Sequence, residues 1–223
     1  MPKTIAKTRS VAAAKPRVRI TVHPLTPERW PDFAAVVGPR GAYGGCWCMF
    51  FRLPRKEWSA GCGEENKKAF RRIVKAGAEP GLLAYAGETP VGWCAIAPRE
   101  EYGGLARSRT LKPIDDLPVW SVTCFYVVKA YRRQGVTVAL LEAAAKYVKK
   151  RGGRILEGYP NDPKVRWPDA YAYQGTVSAF TRAGFTEVKR VTKGRAIMRR
   201  VLTRVPAPGV KSPALGQVNT RKL

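Results

Sequence analysis

The sequence predicts an α/β (α+β) fold, and three stretches carry that reading. Residues 119–128 form a run of β-branched and aromatic side chains too continuous for a half-exposed strand, so that strand should be covered on both faces. Residues 138–151 place Val138, Leu141, Ala145 and Val148 on one face at helical spacing, with basic residues crowding the last turn and Gly152 ending it. Residues 82–86 and 91–96 are two apolar runs separated by a turn at Gly87 and Glu88, the pattern of a β-hairpin.

The remaining elements follow in chain order. Residues 1–18 mix Ala, Lys, Thr and Pro without periodicity and are expected to be a basic disordered arm. Residues 18–22 alternate and should be a first strand. Thr26 followed by Pro27 predicts a helix start, but Pro31 allows a later start for the helix through Phe33, Val36 and Val37. Residues 38–63 lack periodicity and concentrate Cys46, Trp47, Cys48, Met49, Phe50 and Trp58, so they are expected to be a long loop. A helix over 64–76 turns Phe70, Ile73 and Val74 inward and its basic residues outward. Residues 100–117 are polar and should form a surface loop. Residues 154–160 are predicted to be a strand ending at proline, 175–183 a short helix, and Glu187 with Val188 and then 195–199 the closing strands. A globular domain over 19–202 results, followed by a Pro- and Lys-containing disordered tail over 203–223.

Composition bounds the function. Of 223 residues 45% are hydrophobic, enough for one well-buried domain, and no apolar run reaches the roughly 20 residues a membrane span needs. No export signal is visible and the five cysteines are scattered, which favours reduced thiols and a cytoplasmic location. The net charge of +25 raises the prospect of an acidic partner, nucleic acid included. Residues 1–19 hold six Lys/Arg and 201–223 hold four, neither with any acid, so the ends carry much of the excess. Cys46 and Cys48 invite a metal reading, but no second close pair follows and His23 is the single histidine, so no metal is expected.

Between the strand over 119–128 and its helix lies the spacing Arg132-x-x-Gly135-x-Thr137. A glycine there lets the chain turn sharply while unpaired N–H groups point out of the new helix, an arrangement suited to phosphate or pyrophosphate. This segment resembles motif A of the GNAT acyltransferase superfamily, with Thr137 in place of the usual small last residue. The hairpin ending Val91-Gly92-Trp93 resembles the strands that precede that motif, and Gly184-Phe185 resembles the end of motif B. The resemblance implies a central mixed, mostly antiparallel twisted sheet with a splayed pair of parallel strands and helices on both faces. It also implies acetyl-CoA as co-substrate. The amides of Arg133, Gln134, Gly135, Val136 and Thr137, with Arg132, would hold its pyrophosphate, and the backbone of Phe125, Tyr126 and Val127 its pantetheine.

The implied activity is that of an N-acetyltransferase: direct transfer of an acetyl group from acetyl-CoA to an amine on a small molecule or a protein. An ammonium must lose its proton before attack, which calls for a carboxylate or an ordered water. Glu157, on the strand implied to splay away, is the candidate base, with Asp162 second. Many family members use a tyrosine as acid four residues before the glycine of motif B, and Phe180 stands there instead. Tyr159 is the candidate substitute; Tyr171, Tyr173, Thr176, Ser178, Cys124 and Tyr126 are nearby alternatives. Trp47, Met49 and Phe50 are candidates for the acceptor pocket, because the family shapes that site from this region. A basic RNA- or ribosome-associated protein, or a non-catalytic CoA-binding domain on the same fold, is the alternative reading.

Overall fold

The computed structural model describes residues 19–162, 164–165 and 173–203. The predicted N-terminal arm, the tail from 204 onward and Tyr171 lie outside them. Seven strands form one sheet: β1 (Ile20–Pro24), β2 (Gly81–Ala86), β3 (Thr89–Pro98), β4 (Trp120–Val127), β5 (Ile155–Gly158), β6 (Thr186–Thr192) and β7 (Arg195–Val201). Their order is β1-β2-β3-β4-β5-β7-β6, antiparallel at every junction except the parallel pair β4–β5. The helices are α1 (Trp30–Val37), α2 (Arg55–Ala60), α3 (Glu64–Lys75), α4 (Gly103–Ala106), α5 (Val136–Lys150) and α6 (Val177–Arg182). Among the described residues no helix is long and apolar enough to cross a membrane.

Both faces of the sheet are covered, which is why β3 and β4 read as apolar runs rather than alternating ones. On one face, α5 buries Leu140, Leu141, Ala144, Ala145 and Val148 against Leu82, Cys94, Ile96 and Val122. Gly92 permits this approach, since a Cβ there would lie 2.8 Å from Val136 Cγ1. On the other face, α1 and α3 bring Phe33 and Phe70 onto Trp93 of β3, with ring centroids 4.7 Å and 6.0 Å from it. Buried aromatic clusters of this kind add edge-to-face attraction to a large burial of apolar area.

Several expected boundaries shift, each for a local reason. The first strand runs two residues later than its alternation indicated, and a 3-10 turn over Pro27–Arg29 precedes α1, which begins at Trp30 with Pro31 in its first turn. Thr26 makes no side-chain cap. The segment over 38–63 is not wholly irregular, because α2 forms within it. The segment over 100–117 is not simply a surface loop: Tyr102, Leu105 and Leu111 are buried in a third apolar cluster with Phe51, Ala97, Tyr159 and Ile197. The strand after Phe185 spans all of β6, whose side chains are almost all exposed.

Two phenols, Tyr85 buried and Tyr147 half-buried, donate to carboxylates and so tie α1 to β2 and α5 to the segment before β2: Tyr85 to Asp32 Oδ2 at 2.7 Å and Tyr147 to Glu79 Oε2 at 2.9 Å. Burial first, then the neighbouring carboxylate, pushes the pKa of each above the ordinary tyrosine value. Folded-state values above the unfolded value of about 10 mean that their contribution is complete below that pH and is lost progressively as pH rises from there through the folded-state values. Urea midpoints should therefore fall between about pH 9 and about pH 11, and more steeply in the wild type than in a Tyr85→Phe, Tyr147→Phe double variant. Equal slopes would contradict this account.

Candidate active site

The site begins where the parallel pair comes apart. β4 and β5 are paired only at Trp120↔Leu156, Ser121↔Glu157 and Val122↔Gly158. Beyond Gly158 the chain directs its backbone hydrogen bonds elsewhere. Ala196 N–H donates to Pro160 O, Asn161 N–H to Gly175 O, and Val177 N–H to Asn161 O. β4 continues to Val127 with β3 on one side and, among the described residues, no strand on the other. The ring of Phe180 fills the apolar space behind the divergence. It is fully buried, 6.0 Å from Phe125 and 4.9 Å from Phe185, and a Cβ on Gly158 would lie 2.2 Å from its Cε1. A tyrosine hydroxyl would have to find a partner in that apolar packing, which accounts for phenylalanine at this position.

At the far end of β4 the chain enters the turn before α5. Arg133 and Gly135 both have positive φ, 62° and 87°, so successive N–H groups are turned outward from the loop. Arg132 Nε donates to Val127 O at 3.0 Å and Gln134 Nε2 to Ala130 O at 2.7 Å, which fixes the loop against the strand end. No side chain caps α5, whose Ala139 N–H bonds back to Gly135 O at 3.0 Å. A Cβ built on Gly135 meets nothing within 4 Å, so space lies open in front of the uncapped turn. A 15-residue helix ending this way, with Arg132 and Arg133 exposed beside it, fits a diphosphate.

A cavity of about 270 Å³ opens beside the free part of β4. Its walls come from Thr123, Cys124, Phe125 and Tyr126 of β4, from the loop and helix over 42–58, and from Tyr173. Of the three expected acceptor-pocket residues, Phe50 lines it. Trp47 and Met49 do not: both are 3% exposed in the core under α1, where Trp47 stacks on Trp30 with ring centroids 6.1 Å apart. Cys46, Cys48 and Cys124 also face the cavity, and Trp93 Nε1 donates to Cys48 Sγ at 2.9 Å. Burial pushes the Cys46 thiol up to about 11, and a hydrogen bond with Cys48 together with burial raises Cys124. Cys46 and Cys124 are therefore held as thiols at neutral pH and are poor nucleophiles.

Glu157 and Tyr159 are brought together, but inside the protein rather than on the cavity wall. Glu157 is 1% exposed; Oε1 accepts from Arg99 Nη1 at 3.0 Å and from the Tyr159 hydroxyl at 2.7 Å, and Oε2 accepts from Arg199 Nε at 2.7 Å. The Tyr159 hydroxyl also lies 2.8 Å from Ser121 Oγ of β4. Arg199 forks onto Asp115 at 2.6 and 3.1 Å and thereby holds that carboxyl below the usual range. Burial and the Glu157 charge push the Tyr159 phenol well up. Asp162 accepts from Lys164 N–H and pairs with Arg190 at 2.7 Å, which lower its pKa.

Sequence reasoning missed Arg99, Arg199, Ser121 and Asp115, because their link to Glu157 depends on strand register and on the path of the 99–115 segment. It also missed Gln174, which is 2% exposed with neither amide atom hydrogen-bonded. Gln174 lies between Tyr173 on the cavity wall and Gly175, which packs on Phe125.

The sequence pattern of the Acetyltransferase (GNAT) family matches residues 47–167, and the chain belongs to that family. No curated protein matches it by sequence. Among solved structures it is similar to the PaiA N-acetyltransferase from Thermoplasma acidophilum in complex with coenzyme A, at 17% identity over 82% of this chain and 99% of that one, TM-score 0.47. It is also similar to YncA from Salmonella typhimurium with acetyl-CoA, at 13% identity over 85% and 97%, TM-score 0.49. A third similar structure is the NatC complex bound to Gag peptide and CoA, at 14% identity over 82% and 99%, TM-score 0.49.

Removing the Glu157 charge would leave Arg99 and Arg199 facing each other inside the protein. Glu157→Gln should lower the unfolding free energy by about 3–5 kcal/mol, the usual cost of breaking a buried ion pair from one side. A urea titration showing less than about 1 kcal/mol would mean that the network is far more hydrated than its geometry indicates.

Proposed function

We propose that this protein transfers an acetyl group from acetyl-CoA to the nitrogen of an amine. The observation that carries the reading is the alignment of two open features on one strand. β4 has an unpaired edge over 123–127, and it leads into an uncapped helix start with open space before Gly135. When bound, acetyl-CoA supplies an acyl thioester, so the amine forms a C–N bond as the C–S bond breaks, its proton passes to water and the thiolate leaves. The amides of residues 133–137 bind the diphosphate, with Arg132 and Arg133 adding positive charge. The free edge of β4 around Phe125, Tyr126 and Val127 pairs with the pantetheine amides and orients the arm toward the cavity.

Glu157 and Tyr159 act in this reading as positioning residues. Both Glu157 oxygens are engaged, and the pair locks β5 to Ser121 at the last stretch before the strands diverge. The amine must lose its proton in the course of the transfer, and among the described residues lining the cavity there is no carboxylate.

Calorimetry with acetyl-CoA tests the cofactor assignment. Wild type should bind, Gly135→Ala should stay within a few-fold, and Gly135→Glu should lose roughly 100-fold, since a carboxylate would stand where charge-assisted hydrogen bonds form. Gly135→Ala controls for the strain of a side chain at positive φ. Equal affinity of the Glu and Ala variants would place the diphosphate elsewhere.

A further inference from the structure

We propose that the acceptor is a small amine with an aromatic or similarly flat apolar body and a carboxylate, an aromatic amino acid being the simplest case. This rests on the acetyltransferase reading above and names its substrate class. The cavity of about 270 Å³ lies near the small end of ligand sites, which run from about 300 to 1,000 Å³, so it suits a single small molecule. Its walls are aromatic. Phe50 meets Trp58 edge-to-face at 5.1 Å and Tyr173 at 6.4 Å, leaving a slot of ring faces and edges. Tyr43, also on the wall, is 74% exposed, a large ring that the fold itself leaves uncovered.

The charge of the wall selects further. Among the described residues that line it, Arg55 carries the single formal charge, and neither Asp nor Glu is present. The Arg55 guanidinium lies 5.4 Å from the centroid of Trp58 and 5.7 Å from that of Phe50, so the two rings hold it at the cavity. It has no carboxylate partner there, whereas the neighbouring Arg52 is bridged to Glu101 at 3.0 Å. A polyamine or a lysine-rich peptide would bring further cations to a wall whose described residues hold no carboxylate, on a chain whose net charge is +25. An amine that also bears a carboxylate would place its anion on Arg55 and its ring among Phe50, Trp58 and Tyr173.

The test measures N-acetylated product by mass spectrometry, using the full chain with acetyl-CoA and three probes: L-phenylalanine, 2-phenylethylamine and spermidine. L-phenylalanine should exceed 2-phenylethylamine by about tenfold in kcat/KM, the worth of one charge-assisted contact, and spermidine should stay near background. In Arg55→Ala the ratio of the two aromatic amines should fall to near one, through KM rather than kcat. Preference for spermidine, or an unchanged ratio in Arg55→Ala, would overturn the assignment. Calorimetry on the same samples separates the two levels. Acetyl-CoA binding without acetylation of either aromatic amine overturns the acceptor class alone, and absence of acetyl-CoA binding removes the acetyltransferase reading and this class together.

Discussion

The whole site depends on a parallel ladder that stops after three residue pairs. Pro160 has no N–H to give, and the carbonyls and amides around it are spent on β7 and on the 175–177 segment. The apolar space behind the gap is filled by Phe180, whose ring presses on Gly158 and Phe125. Among the described residues β4 therefore keeps an edge without a strand partner in the middle of a sheet, where an open edge is otherwise avoided. A motif-B phenylalanine that looks like the loss of a catalytic hydroxyl is, in packing terms, the wedge that keeps the strands apart.

The buried charges belong to the same construction. Glu157, Arg99, Arg199, Tyr159 and Ser121 meet at the paired end of β4 and β5, directly before the divergence. Apolar side chains there could match or exceed such a network in stability. What directional hydrogen bonds add is a fixed register between the two strands. On the other side of the opening, Arg132 ties the loop before α5 to Val127 at the end of β4, Gln134 ties it to Ala130 in the turn after that strand, and Gly92 lets α5 settle close on β3. Strand end, loop and helix start are thus held as one rigid unit.

The parts legible in the sequence were those whose periodicity is local. The strand–turn–helix over 119–153, the hairpin before it and α3 emerge within a few residues of their expected places, since each carries an unbroken local pattern. The loop over 38–63 resisted reading for the opposite reason. Ala42, Trp47 and Cys48 have positive φ, so neighbouring side chains point in unrelated directions and no spacing separates Phe50 on the cavity from Trp47 and Met49 in the core. The surroundings of Glu157 were equally hidden. Its pairing with Arg199 follows from the β5–β7 register and that with Arg99 from a contact 58 positions away, neither of which leaves a local trace.

The central claim is that the open edge of β4 receives the thioester arm, and amide hydrogen exchange across residues 123–127 tests it most directly. With saturating CoA, exchange in this stretch should slow by about tenfold or more while β1 and β2 stay unchanged, because new backbone hydrogen bonds form at the open edge of β4 and none form at β1 or β2. CoA binding that protects the turn before α5 but leaves 123–127 exchanging as before would contradict the account.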